Sequence, residues 1–170
     1  MKTRVILTLC VVFVGGLVSN ANAQVVAGSP EDKAFQQIDA ENNIDKKAAL
    51  LQDFEKQFPQ SKTLREVYLE LLKIYQDKND SAKVMEYGEK IIKVDADNLS
   101  ALLTLSRAYA LERKNLDRAV QYAQKAVDIA ARMKSQPPPA GYSDEQWKQY
   151  LDGNEQLAKN YLSYARSLRP

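Results

Sequence analysis

The chain has 170 residues, with 24 Lys+Arg, 22 Asp+Glu, one cysteine and no histidine. Without histidine and with a single thiol, most nucleophile–base pairs and nearly all zinc sites are excluded, and the surviving carboxylate, lysine and tyrosine chemistries show no recognisable constellation. Charge this close to balance lacks the electrostatic footprint of a nucleic-acid binder.

Residues 1–23 read as a secretory signal peptide. Lys2 and Arg4 form a positive start, 5–18 is an apolar run, and Ala21-Asn22-Ala23 is a small-x-small cleavage site. Export is therefore expected, to the periplasm in a diderm bacterium. The run is shorter than the about 18 residues of a membrane span, so membrane contact is expected only through this leader, if it is retained. Cys10 is no lipidation site, because Leu9 precedes it and Val11 to Val14 continue the run. Cleavage removes Lys2, Arg4 and Cys10, leaving 22 basic against 22 acidic residues and no thiol. Packing alone must then hold the fold.

Residues 24–28 read as a flexible tether. Ser29 and Pro30 suit the N-cap and first position of a helix, and Glu31 and Asp32 complement its positive end. Its inward residues are Ala34, Phe35 and Ile38, and Glu41-Asn42-Asn43 breaks it. A second helix is predicted over about 45–57, with Ala48, Leu51, Phe54 and Phe58 at helical spacing and Pro59 ending it. A third begins near 61–63, where Thr63-x-x-Glu66 suggests a capping box. It carries Val67, Tyr68, Leu71, Leu72 and Tyr75. Asp80 can cap a fourth helix bearing Val84, Tyr87, Ile91 and Val94. A fifth carries Ala101, Leu102, Leu105, Ala108 and Tyr109. After a turn at Lys114-Asn115, a sixth carries Ala119, Tyr122, Ala123, Ala126 and Ile129.

Residues 133–142 form a Pro-rich linker, in which Pro137-Pro138-Pro139 makes a stiff spacer. Ser143-x-x-Gln146 restarts a C-terminal helix over 143–170, with Tyr142 and Trp147 placed as a hydrophobic staple and the Trp147 N–H needing a partner. Its apolar positions are Trp147, Tyr150, Leu151, Leu157, Tyr161, Tyr164, Ala165 and Leu168, and Gly153 weakens its middle by about 1 kcal/mol. Period-two alternation is absent, so the chain is all-α; the short connections pack successive helices antiparallel.

Residues 65–98 and 99–132 repeat one pattern. Tyr68, Leu71 and Tyr75 become Leu102, Leu105 and Tyr109, a displacement of about 34 residues. Val84, Tyr87 and Ile91 become Ala119, Tyr122 and Ala126, one residue later. The slip falls between Asp77-Lys78-Asn79-Asp80 and Glu112-Arg113-Lys114-Asn115, where a surface turn tolerates insertion. With Ser106 at a small position and the run from Asp117 to Ala126, this cadence resembles the tetratricopeptide repeat of exported bacterial proteins. Residues 29–62 read as a degenerate earlier copy. The departures are Leu72 at a usually small position, Val84 and Ile91 in place of alanines, tyrosines one residue early at Tyr87 and Tyr122, and Ala96 in place of the terminal proline.

The resemblance implies a helix-pair solenoid, a right-handed superhelix with the C-terminal helix as cap or partner contact; a cap is preferred over the first half of a further repeat. The repeat core is Tyr68, Leu71, Tyr75, Val84, Ile91, Leu102, Leu105, Tyr109, Ala119 and Ala126. Residues Glu66, Leu69, Glu70, Lys73 and Gln76, with Leu103, Thr104, Arg107 and Leu111, would line a concave groove. Lys73 and Arg107 share a repeat position, as a clamp for a peptide carboxylate or as solvated charges with Glu70–Lys73 an ordinary pair. Tyr75, Tyr87, Tyr109 and Tyr122 are expected in the core rather than in an aromatic cage. The expected function is a non-enzymatic scaffold that binds a protein or peptide, with no cofactor, metal or nucleic acid. The alternative is a structural subunit of an envelope assembly complex that uses its C-terminal helix as the contact.

Overall fold

The structure is a computed structural model and describes residues 27–169. The leader and residues 24–26 of the tether lie outside the described residues. Among these residues there are seven helices: α1 (Pro30–Ala40), α2 (Ile44–Gln57), α3 (Leu64–Asp77), α4 (Ser81–Val94), α5 (Leu99–Leu111), α6 (Leu116–Met133) and α7 (Asp144–Ser167). They pack sequentially in antiparallel pairs, and α7 lies against both α6 and α5. No helix among the described residues is long and apolar enough to cross a membrane.

Local chemistry explains the boundaries. Ser29 caps α1 by accepting from the Asp32 N–H, and Asn43 caps α2 by accepting from those of Asp45 and Lys46. Asp80, Asn98 and Asn115 do the same for α4, α5 and α6, each satisfying a donor orphaned at a helix start. The capping box of α7 forms in full, with Ser143 and Gln146 bonding each other's backbone, and Tyr142 meets Trp147 edge-on at 5.4 Å. The box expected at Thr63 does not form. Thr63 is the N-cap of α3 but makes no side-chain cap bond; its hydroxyl lies 2.6 Å from that of Ser61.

The one-residue slip between the repeats has a structural account. Asn79 and Arg113 take left-handed backbone at equivalent points (φ 55 and 50). The next N–H, from Asp80 or Lys114, closes back on the Tyr75 or Tyr109 carbonyl at 3.0 and 3.1 Å, the 6→1 bond of a Schellman ending. In the first repeat Asp80 both closes α3 and caps α4. In the second Lys114 closes α5, and the extra residue Asn115 (φ 47) caps α6. Asparagine tolerates that left-handed conformation, so the insertion costs little.

Two large apolar clusters and a small one around Ala110, Ala119 and Ala165 fill the interior. One joins α1 to α4 through Ile38, Leu51, Phe54, Val67, Leu71, Ile74 and Ile91. The other joins α5, α6 and α7 through Leu102, Leu103, Ala126, Ile129, Trp147, Leu151 and Ala158. Ile92 packs against both. Gly88 lets α4 and α5 approach closely, since a Cβ there would stand 2.7 Å from the Leu105 side chain. Of the expected core positions, Tyr68, Leu71, Val84, Ile91, Leu102, Leu105, Ala119 and Ala126 are buried. Tyr75 and Tyr109 are half-buried and Val94 is exposed, because the tyrosines sit where successive pairs meet and Val94 ends its helix.

Candidate functional site

One concavity is a groove of about 540 Å³ between the C-terminal end of α3, the start of α4, the length of α5 and the side of α7. Five sequence-expected residues line it: Gln76 from α3, and Leu103, Thr104, Arg107 and Leu111 from α5. The remaining four do not. Glu66 and Lys73 are exposed elsewhere on α3, and Leu69 and Glu70 are half-buried, Leu69 against the first cluster. Lys73 and Arg107 therefore do not share the groove, and no ion pair joins Glu70 to Lys73 among the described residues. Gln76 donates to the Thr104 hydroxyl at 3.2 Å, tying α3 to α5 across the floor. Leu103 is mostly buried beneath α7, whereas Leu111 is 57% exposed.

The fourth side was not legible from repeat position. Tyr150, Asn154, Leu157 and Tyr161 of α7 form it. Tyr150, Leu157 and Tyr164, expected in an inward stripe, are 39%, 38% and 43% exposed. Ala158 and Leu162 take the buried positions instead. Helical spacing locates an apolar side, but two such sides on one helix cannot be ranked without knowing where its neighbours lie. Arg107 is the only charged residue among those lining the groove. Its lining is otherwise apolar, hydroxyl or amide, which suits a partner that is mostly apolar with a few polar contacts.

A second set of polar constellations sits at the junctions between helix pairs. At the first, Gln52 donates to the hydroxyls of Tyr75 and Tyr87 at 3.0 and 3.1 Å, and those rings stack with centroids 5.6 Å apart. Beside it Lys90 pairs with Glu55 at 2.8 Å and Glu86 at 3.0 Å while lying 4.6 Å over the Tyr87 ring. Burial pulls the Lys90 ammonium down, but the two carboxylates outweigh it and hold it above its ordinary value. Burial, with Glu55 alongside, pushes the Tyr68 phenol up to about 12.

At the second junction Glu89 accepts from the Tyr109 hydroxyl at 2.9 Å, the Tyr122 hydroxyl at 2.8 Å and Arg118 at 2.9 Å. Burial and then the bond to Glu89 raise both phenols. The four tyrosines therefore form neither a ligand cage nor a purely apolar core. Only Tyr87 is fully buried; the others set their rings against neighbours and their hydroxyls into a polar tie. The Trp147 N–H, expected to find a partner, is buried without one, as is the Ser106 hydroxyl.

No protein-family model matches the chain, and no curated protein matches it.

Proposed function

We propose that the protein is a non-enzymatic, exported scaffold of the tetratricopeptide type, whose helix pairs stack as a right-handed solenoid and bind a protein or peptide in the groove between α3, α5 and α7. The single observation that carries this reading is the groove itself. Five residues chosen by repeat position alone converge on one concavity, and Leu111, Tyr150 and Leu157 offer it exposed apolar surface. Exposed apolar side chains gathered in a concave, polar-rimmed surface mark interaction sites. Arg107 supplies the one charge, able to hold a carboxylate of the guest by paired N–H donors.

The recurring turns support the repeat reading. Asn79 and Arg113 bend the chain alike, and Tyr75 and Tyr109 accept the same closing bond. Export rests on the leader, and the periplasm follows if the source is a diderm bacterium.

The test is capture from envelope extract by the purified protein. Arg107→Glu combined with Leu111→Asp removes the cation and the exposed leucine without entering the core, and capture should fall at least about tenfold. Capture retained by this variant but lost in Trp147→Ala would move the contact from the groove to the terminal helix, as in a structural envelope subunit.

A further inference from the structure

α7 is divided lengthwise in a way that packing against α5 and α6 does not explain. Its buried side holds Trp147, Leu151, Ala158, Leu162 and Ala165. Every charged residue beyond its first turn (Lys148, Asp152, Glu155, Lys159 and Arg166) falls on one flank of that side at 3.6 residues per turn. Two of them anchor the helix: Lys134 reaches Asp152 at 2.5 Å and also pairs with Glu155. The other flank carries no charge from end to end. It presents Tyr150, Leu157 and Tyr164, all exposed, seven residues apart, with Gly153, Asn160 and half-buried Tyr161 between them. In a chain that is 27% charged, a charge-free strip rich in tyrosine has the composition of an interface centre.

The strip is also symmetric about Leu157. Tyr150 and Tyr164 stand at equal distances on either side. Gly153 mirrors Tyr161, and Asn154 mirrors Asn160. In an antiparallel two-fold contact centred on Leu157, each residue meets the one equally far on the other side of Leu157 in the second copy, so the strip is self-complementary. Two such helices laid antiparallel set Leu157 on Leu157, tyrosine on tyrosine, amide on amide, and each Tyr161 ring over a glycine. Gly153 fits that role. It lowers helix propensity in mid-helix, yet nothing lies within 4 Å of where its Cβ would be, so no contact inside the chain requires it. Seven-residue spacing is the repeat that keeps one helix seam on another.

We propose that this uncharged flank of α7 is a homodimer interface, in which a second copy of the chain packs its own α7 antiparallel, centred on Leu157. The strip includes Tyr150, Leu157 and Tyr161 of the groove wall, so a second copy seated there competes with a guest in the groove, while the strip's own symmetry does not rest on what the groove binds. α7 has 24 residues, about 36 Å of helix at 1.5 Å per residue. A strip of that length and about 10 Å wide is under half of the ~800 Å² per partner of a standard interface. The dimer is accordingly weak. The strip itself carries no charge, and the nearest cation across the groove is Arg107.

Sedimentation equilibrium of the purified protein from the micromolar to the millimolar range tests this, with circular dichroism to check that each variant folds. A monomer–dimer equilibrium is expected. Leu157→Asp should weaken it at least about tenfold. Gly153→Leu should weaken it without lowering the thermal midpoint, because the new side chain has open space in the monomer and fills the seat of Tyr161 in the dimer. In a Cys10→Ser background, Leu157→Cys should cross-link to its own copy. Tyr150→Cys should cross-link to Tyr164→Cys in a mixture and poorly to itself. A protein that stays monomeric throughout overturns the proposal, even if this face captures a different protein. So does a dimer that survives Leu157→Asp, or one in which Leu157→Cys fails to cross-link.

Discussion

The two helix-pair junctions occupy the same register and use opposite chemistry. Gln52 stands nine residues past the cap Asn43, and Glu89 nine past the cap Asp80. Each reaches a tyrosine on the following helix and a tyrosine on the one after: Tyr75 and Tyr87, or Tyr109 and Tyr122. At the first the neutral amide donates and the hydroxyls accept. At the second the carboxylate accepts and the hydroxyls donate, with Arg118 closing the charge at 2.9 Å. One architecture therefore tolerates a neutral or an ionised joint, provided every buried polar atom finds a partner. The difference lies in what is lost when the acceptor or donor is removed, because a hydrogen bond to a charged group contributes more than a neutral one.

The largest effect should come from breaking the ionised joint. Glu89→Ala leaves two half-buried phenols without a charged acceptor, while exposed Arg118 turns to water, and should cost about 2–3 kcal/mol in urea unfolding. Gln52→Ala strands only neutral hydroxyls and should cost about 1 kcal/mol. Equal losses at the two sites would end the distinction drawn between them.

A glycine pair sharpens the picture from the packing side. Gly88→Ala drives a methyl to 2.7 Å from Leu105 and should cost about 1–3 kcal/mol by overpacking. Gly153→Ala meets open space and should gain about 0.5–1 kcal/mol through helix propensity in the monomer. Matched thermal melts at low concentration read both signs.

Alkaline titration separates the joints by proton affinity. A phenol whose value is raised on folding holds its proton in the native state. The stability it contributes is fully present below its unfolded value of about 10 and is lost as pH rises through the folded one. Tyr109 and Tyr122 are raised by burial and then by Glu89. Glu89→Gln should bring their ionisation down in a 295 nm titration, while Tyr68 stays near 12. The loss of stability above pH 10 should then be smaller and end at a lower pH. No change in the titration would show that burial alone sets these phenols.

The smallest effect is at Ser106. Its hydroxyl is buried and unpartnered, so Ser106→Ala removes an unmet hydrogen-bonding group at the cost of a very small void. A gain of about 0.5–1 kcal/mol is expected, readable as a higher urea midpoint at unchanged slope.

Much of the local structure is written in short-range chemistry. Ser29-Pro30, Asp80 and Ser143-x-x-Gln146 mark helix starts because capping depends only on neighbours a few residues away. The place of the repeat slip is equally local, since a turn accepts an extra residue and a packed helix does not. Thr63 failed as a capping box for an equally short-range reason: the Ser61 hydroxyl competes for the same side chain. Part of the lining of the concavity was legible too. Repeat position brought Gln76, Leu103, Thr104, Arg107 and Leu111 to one place, but Glu66, Leu69, Glu70 and Lys73 depend on how far along α3 the next helix reaches, and no periodicity states that.

By itself the sequence determined an all-helical chain, its boundaries and the faces that must leave water, because hydrogen-bond capping and the 3.6-residue period act within a single helix. Only the tertiary structure decided which apolar side of α7 is covered, that Leu103 lies beneath it, and that tyrosines spaced like core residues carry their hydroxyls into shared polar ties. Those outcomes depend on where a second helix sits, and burial is a property of the pair.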